Sequence, residues 1–207
     1  MMIIVAVDSN DDDVAAACLA YRRSRVYPAL RSRGFAIRAL VAGNATRAAV
    51  TQALADPDVV LVCGSGHGLP ARFAGQTGEP LLEVGADQAA EPAGKMSHLL
   101  ACFTGQALGP DLVANGCVAF FGYDGAFVVP LGSPAALLEC DGVIDREIAA
   151  GRTARAVYER AHRAFTIRIQ QLLAAKQPYL AAVLEYNRDH LCAPSTDPRW
   201  GDPDATI

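Results

Sequence analysis

Short, mainly apolar runs recur along this chain at residues 1–7, 35–41, 59–63, 97–101 and 117–123. None of them alternates cleanly between apolar and polar, the pattern of strands buried on both faces. Helix signals lie between the first three. Ser9-Asn10-Asp11-Asp12-Asp13 supplies capping side chains and negative charge for the start of a helix over 14–32. Gly34 is its stop, and Pro28 predicts a kink or a split within it. Gly43-Asn44 reads as a turn and 46–55 as a short helix. The resulting β-α-β-α-β order predicts a parallel sheet with helices on both faces and right-handed crossovers.

The stretch 69–95 is the least regular. It carries Gly75, Gly78, Gly85 and Gly94 together with Pro70, Pro80 and Pro92, and only 80–84 reads as a strand. A connection this long is either a lid or binding loop, or a surface excursion with a small hairpin. Regularity returns with a strand over 97–101, a short helix over 106–115 closed by Gly116, and a buried strand over 117–123 leading to Asp124-Gly125. Residues 126–131 continue as strand or turn outward, and the short run 118–121 is an interior strand or a dimer edge.

From 133 onward the periodicity is helical. Tyr158, Ala161, Phe165, Ile169 and Leu172 form one apolar stripe. Arg152, Arg155, Arg160, Arg163, Arg168 and Lys176 make the same helix basic, which reads first as a solvated face and second as a partner surface. Pro178 breaks the pattern, and a further helix reaches about residue 191. The pattern gives a single α/β domain over 1–193 with a helical C-terminal third. A tail over 194–207, with Pro194, Pro198 and Pro203, is expected to lack structure of its own.

Composition narrows the class. With 207 residues, 52% hydrophobic and 19% charged, the chain suits a globular α/β protein rather than a disordered one. A net charge of −4 does not point to nucleic acid. No apolar run reaches 18 residues, so no membrane-spanning helix is expected, and no secretory leader is recognisable. These features predict a cytoplasmic protein. Its six cysteines are widely spaced and form no CxxC pair, so they are expected as thiols without a zinc or redox motif. The acidic run 11–13 reads as a cap and solvated loop before it reads as a metal site. No cofactor is called for.

The candidate chemistry lies at two strand ends. Val59-Val60-Leu61-Val62-Cys63 runs into Gly64, Gly66, His67 and Gly68, and a second run ends in Leu100-Ala101-Cys102-Phe103-Thr104-Gly105. Ligand crevices of open parallel sheets lie at the carboxyl edge, where both segments would emerge. Neighbouring strands are separated by about 5 Å, within side-chain reach. His98 sits roughly 13 Å back along its strand from Cys102 and is expected at the opposite end. His162 and His190 read as surface histidines, and Cys63 and Cys117 as small buried hydrophobes.

The two segments together, with the strand-helix-strand order that follows, resemble the caspase-like cysteine peptidases. That group includes caspases, metacaspases, gingipains, clostripain-like enzymes, separase and the CHAT domains, and the motifs are closest to the CHAT, gingipain and metacaspase-type members. The resemblance covers about residues 59–125. It implies a three-layer caspase-like (caspase–haemoglobinase) fold and a cysteine endopeptidase acting on a peptide or protein substrate. Cys102 would be the nucleophile, His67 the proton donor to the leaving amine, and the N–H groups of Gly68 and Cys102 the oxyanion hole. Two departures stand out. The chain lacks the Gln-Ala-Cys-x-Gly signature of true caspases. Where metacaspases and clostripain-like enzymes carry an Asp two residues before the cysteine, this sequence has Leu100. Asp124 is then a candidate for a substrate pocket favouring Arg or Lys, and alternatively a plain turn residue. Two other readings stay open. One is a catalytically silent caspase-like module that binds a protein partner, or a second copy, through the basic helix or the 69–95 loop. The other is a nucleotide-binding domain with Gly64-Ser65-Gly66 around a phosphate.

Overall fold

The structure is a computed structural model that describes residues 1–85 and 91–207. Part of the 69–95 connection, residues 86–90, lies outside the described residues. Strand β1 (Ile3–Asp8) leads into α1 (Asp13–Tyr21), whose first turn is capped by the Asp12 carboxylate accepting the Ala15 N–H at 2.7 Å. The helix does not run straight to Gly34. It widens into a π turn (Arg22–Val26) and resumes as α2 (Tyr27–Ser32), with Pro28 in the first turn. A proline has no N–H to continue the ladder, so the split falls where the sequence predicts it. Strand β2 (Ala36–Val41) and α3 (Arg47–Leu54), capped by Thr46, complete the second unit.

β3 (Val59–Ser65) is followed by a small antiparallel excursion, one of the two readings of 69–95, in which the strand expected over 80–84 forms and two shorter strands precede it. His67–Leu69 (β4) and Arg72–Ala74 (β5) pair as antiparallel strands, and Pro80–Glu83 (β6) joins them in a separate three-stranded sheet. Three-residue strands are too short to show a period. β7 (Met96–Leu100), α4 (Leu108–Ala114) and β8 (Ala119–Tyr123) then return to the central sheet. Helices α5 (Pro134–Ile148), α6 (Ala154–Ala174) and α7 (Pro178–Asp189) make up the helical third, and β9 (Leu191–Cys192) closes the sheet.

The strand order is β2-β1-β3-β7-β8-β9, with β9 antiparallel to an otherwise parallel sheet. Ile4, Ala6, Leu61, Cys63, Met96, Leu100, Phe121 and Tyr123 face a core shared with α1, α2, α5 and α6. Val5, Val7, Val62, Leu99 and Phe120 face α3, α4 and the small sheet. The result is a three-layer α/β architecture, with α7 packed outside α5 and α6 around Phe165 and Leu184. Of the predicted stripe, Ala161, Phe165, Ile169 and Leu172 are buried. Among the described residues no helix is long and apolar enough to cross a membrane.

The C-terminal segment is docked rather than loose. Trp200 is buried and its Nε1–H donates to the Gly105 carbonyl at 2.9 Å. Gly201 bridges Ala119, and the Asp202 N–H donates to Val118 O. The carbonyls of Pro203 and Ala205 accept the N–H groups of Arg155 and Ala154, which the first turn of α6 would otherwise leave unpaired. The three prolines had suggested disorder, but one large aromatic and the open start of a helix outweigh them. Strand β8 is accordingly interior, flanked by β7 on one side and by β9 and Gly201 on the other.

Candidate active site

The parallel register sets Ser65 of β3 beside Leu100 of β7, so both strands run out at the same edge. The end of β3 is pinned from below. Ser65 donates its N–H and its hydroxyl to Asp8 Oδ1 at 2.8 and 2.7 Å. Gly64 lies so close to β1 that a Cβ there would sit 2.0 Å from the Val7 carbonyl oxygen. The glycine run therefore serves strand packing. No helix follows it, since β4 and β5 come next, and the phosphate-cradle reading loses its helix N-terminus.

From this edge His67 opens β4, and Cys102 follows directly after β7. Gly68 packs onto the cysteine backbone: a Cβ on it would lie 2.1 Å from Cys102 O and 2.8 Å from Cys102 N. Phe103 takes a positive φ of 59°, uncommon outside glycine, which turns the chain sharply after the cysteine. The loop is then laced to the exit of β8, with the Phe103 N–H donating to Gly125 O and the Gly105 N–H to Tyr123 O. Cys102 Sγ accepts the Phe127 N–H at 3.2 Å. Among the described residues the Cys102 N–H meets no acceptor.

His67 and Cys102 line one cavity of about 60 Å³, shared with Val14, Ala15 and Cys18 of α1 and with Leu100. The ring of His67 is half exposed, and its Nε2 lies 3.1 Å from Asp12 Oδ2 and 3.5 Å from Asp11 Oδ1. Asp12 thus caps α1 with one oxygen and holds the histidine with the other. The acidic run is both cap and histidine partner. The strand order makes this visible: β1 lies beside β3, so the loop after β1 meets the segment that carries His67.

Cysteine burial separates the six thiols. Cys18, Cys63, Cys117, Cys140 and Cys192 are buried, and Cys102 is half-buried. Burial pushes Cys117 and Cys140 up to about 12, and burial followed by the Asp141 charge does the same to Cys18. Cys63 and Cys192 are raised as well, again chiefly by burial. A thiol so raised has almost no thiolate at neutral pH.

The remaining candidates fall elsewhere. His98 is not at the far end of the site's strand as an idle neighbour. It sits mid-sheet opposite Cys63, fully buried, with Nδ1 2.8 Å from Asp145 Oδ1 and Nε2 3.2 Å from Asp141 Oδ1. Around it Arg22, delivered inward by the π turn, reaches Asp145 at 2.6 Å, Asp8 at 2.8 Å and Cys63 Sγ at 3.0 Å. Tyr123 donates to Asp141 at 2.8 Å, and Tyr27 donates to Asp8. Asp124 turns to His190 Nδ1 at 2.8 Å, while its backbone N–H is bonded to His190 O. His190 is therefore a partly buried partner of Asp124, its ring centred 4.4 Å from the tilted ring of Tyr186, rather than a free surface residue. Among the described residues no three His, Cys, Asp or Glu side chains are grouped to hold a metal ion.

No protein-family model matches this chain. No curated protein matches it in sequence either.

Proposed function

We propose that this chain is a caspase-like cysteine endopeptidase in which Cys102 is the nucleophile and His67 the general acid and base. The observation that carries the reading is the convergence of His67 and Cys102 on one cavity at the carboxyl edge of a parallel sheet. Cys102 Sγ gives its proton to His67 and attacks the scissile carbonyl carbon, forming a C–S bond. The oxygen takes up the electron pair and is held by the N–H groups of Gly68 and Cys102. As the C–N bond breaks, His67 gives its proton to the departing amine, leaving a thioester. Water, losing a proton to His67, then attacks the thioester, releasing the acid and restoring the thiol. Asp11 and Asp12 hold Nε2, so Nδ1 is the nitrogen left for proton transfer.

The test uses the full chain against a fluorogenic peptide-amide mixture and a denatured protein substrate. Cys102→Ala and His67→Ala should each reduce hydrolysis by about 10³-fold or more with unchanged melting temperature. Limiting iodoacetamide should label Cys102 first, and more slowly in His67→Ala. Full activity in Cys102→Ala would end the proposal. A silent binding module is the second reading, favoured by the segment around Phe127, whose N–H and carbonyl both face the Cys102 thiol. Unreactive Cys102 together with no hydrolysis would support it.

A further inference from the structure

Resting on that reading, we infer that the cavity beside Cys102 receives the substrate side chain on the acyl side of the scissile bond, and that it selects an uncharged aliphatic residue. Position comes first. The cavity touches both His67 and the Cys102 thiol, so the side chain nearest the attacked carbonyl is the one able to enter it. Its chemistry comes next. Apart from His67 and Cys102, the side chains around it are all uncharged, among them Val14, Ala15, Leu100, Ala101, Phe127 and Val129. Cys18 is kept uncharged by burial, with its thiol near 12.

Charge settles the class. A pocket for Lys or Arg needs a carboxylate in its wall, and none lines this one. Asp11 and Asp12 hold His67, Asp8 serves Ser65, Tyr27 and Arg22, Asp141 takes Tyr123 and His98, and Asp124 pairs with His190. An acidic substrate side chain meets no free cation among these lining residues. Burying an unpaired charge against aliphatic walls is strongly unfavourable, so charged residues are rejected in both signs.

Peptidyl chloromethyl ketones differing only in the last residue give a direct test, because the Cys102 thiolate displaces chloride and the adduct is read by mass whether or not turnover is fast. Inactivation by the valine, leucine or alanine ketone should exceed that by the arginine, lysine and aspartate ketones by about tenfold or more, and fluorogenic amides should follow the same order. Val14→Asp, in the first turn of α1 where a carboxylate suits the helix, should shift the preference towards arginine and lysine by about tenfold. A basic preference in the unaltered protein, equal rates for all ketones, or a Val14→Asp variant with unchanged order would overturn the pocket. Those results keep the peptidase reading intact wherever labelling still falls on Cys102 and depends on His67. If no ketone labels Cys102, both ideas fail together.

Discussion

Two histidines in this molecule each face two aspartates, and they are built for opposite ends. His98 is fully buried between Asp145 and Asp141, with both ring nitrogens taken. His67 is 53% exposed, with only Nε2 held, by Asp12 and Asp11. Burial opposes charge on the His98 ring, but Asp145 and then Asp141 outweigh it and raise the group to about 9. His98 is therefore a fixed cation, locked into a cluster with Arg22, Asp8 and Asp145. A ring with both nitrogens spent inside a sheet has no proton to exchange with a substrate. A ring with one nitrogen unspent, on the rim of a cavity with a half-buried thiol, is placed to exchange one. The residue types are nearly the same, and completeness of the hydrogen bonding separates scaffold from chemistry.

Breaking the buried cluster should have the largest effect on stability. Asp145→Ala removes the carboxylate that holds both Arg22 and His98 and leaves two buried cations under-compensated, at a cost of about 3–5 kcal/mol in urea unfolding. The matching change on the other side of the comparison, His67→Ala, should move the same midpoint by less than about 1 kcal/mol. If both variants unfold alike, the division of labour is wrong.

The pH dependence of stability comes next. His98 has a folded value near 9, above the ordinary 6.5, so its contribution is fully present below about 6.5 and is lost as the pH rises through 9. The full span is on the order of 3 kcal/mol. Asp145 has the opposite sign. Burial raises it, but Arg22 and then His98 outweigh burial and hold it well below the usual carboxylate range. Its contribution is present above about pH 4 and fades on acidification below that. Denaturation followed from pH 6 to pH 10 should show the alkaline decline in the unaltered protein and lose most of it in His98→Gln.

The sequence pattern carries the sheet because strands buried on both faces are continuous apolar runs, and Asp12, Thr46 and Pro28 mark helix ends by local chemistry. It carries His67 and Cys102 because both stand at the ends of such runs. It does not carry β4 and β5, whose pairing is set by the turn between them rather than by any period. Nor does it carry the docking of Trp200, a contact with Gly105 from far along the chain. The buried cluster was hidden for a related reason. Arg22 stands among Arg23 and Arg25 and reads as one more surface charge until the π turn rotates it inward. A polar group in such a core is legible only when its partners, here Asp8 and Asp145, are known to meet it. The neighbourhood of Asp12 and His67 was within reach, since strand order alone brings the two loops together.

The smallest expected effect sharpens the comparison most, because it separates the two tasks of Asp12. One oxygen accepts the Ala15 N–H and the other meets His67 Nε2. Asparagine caps a helix about as well as aspartate, whereas alanine costs roughly 1 kcal/mol. Asp12→Asn should therefore keep the melting temperature while removing a charged partner of the His67 ring. A hydrogen bond to a charged group is worth about 1.5 kcal/mol at the low end suited to this half-exposed pair, or about tenfold in rate. The expected result is a tenfold drop in kcat and in the rate of Cys102 alkylation for Asp12→Asn, with the same drop plus a lower melting temperature for Asp12→Ala. Unaltered kinetics in Asp12→Asn would leave the carboxylate as a cap alone, and His67 would then owe its orientation to Gly66, Gly68 and the pairing of β4 with β5.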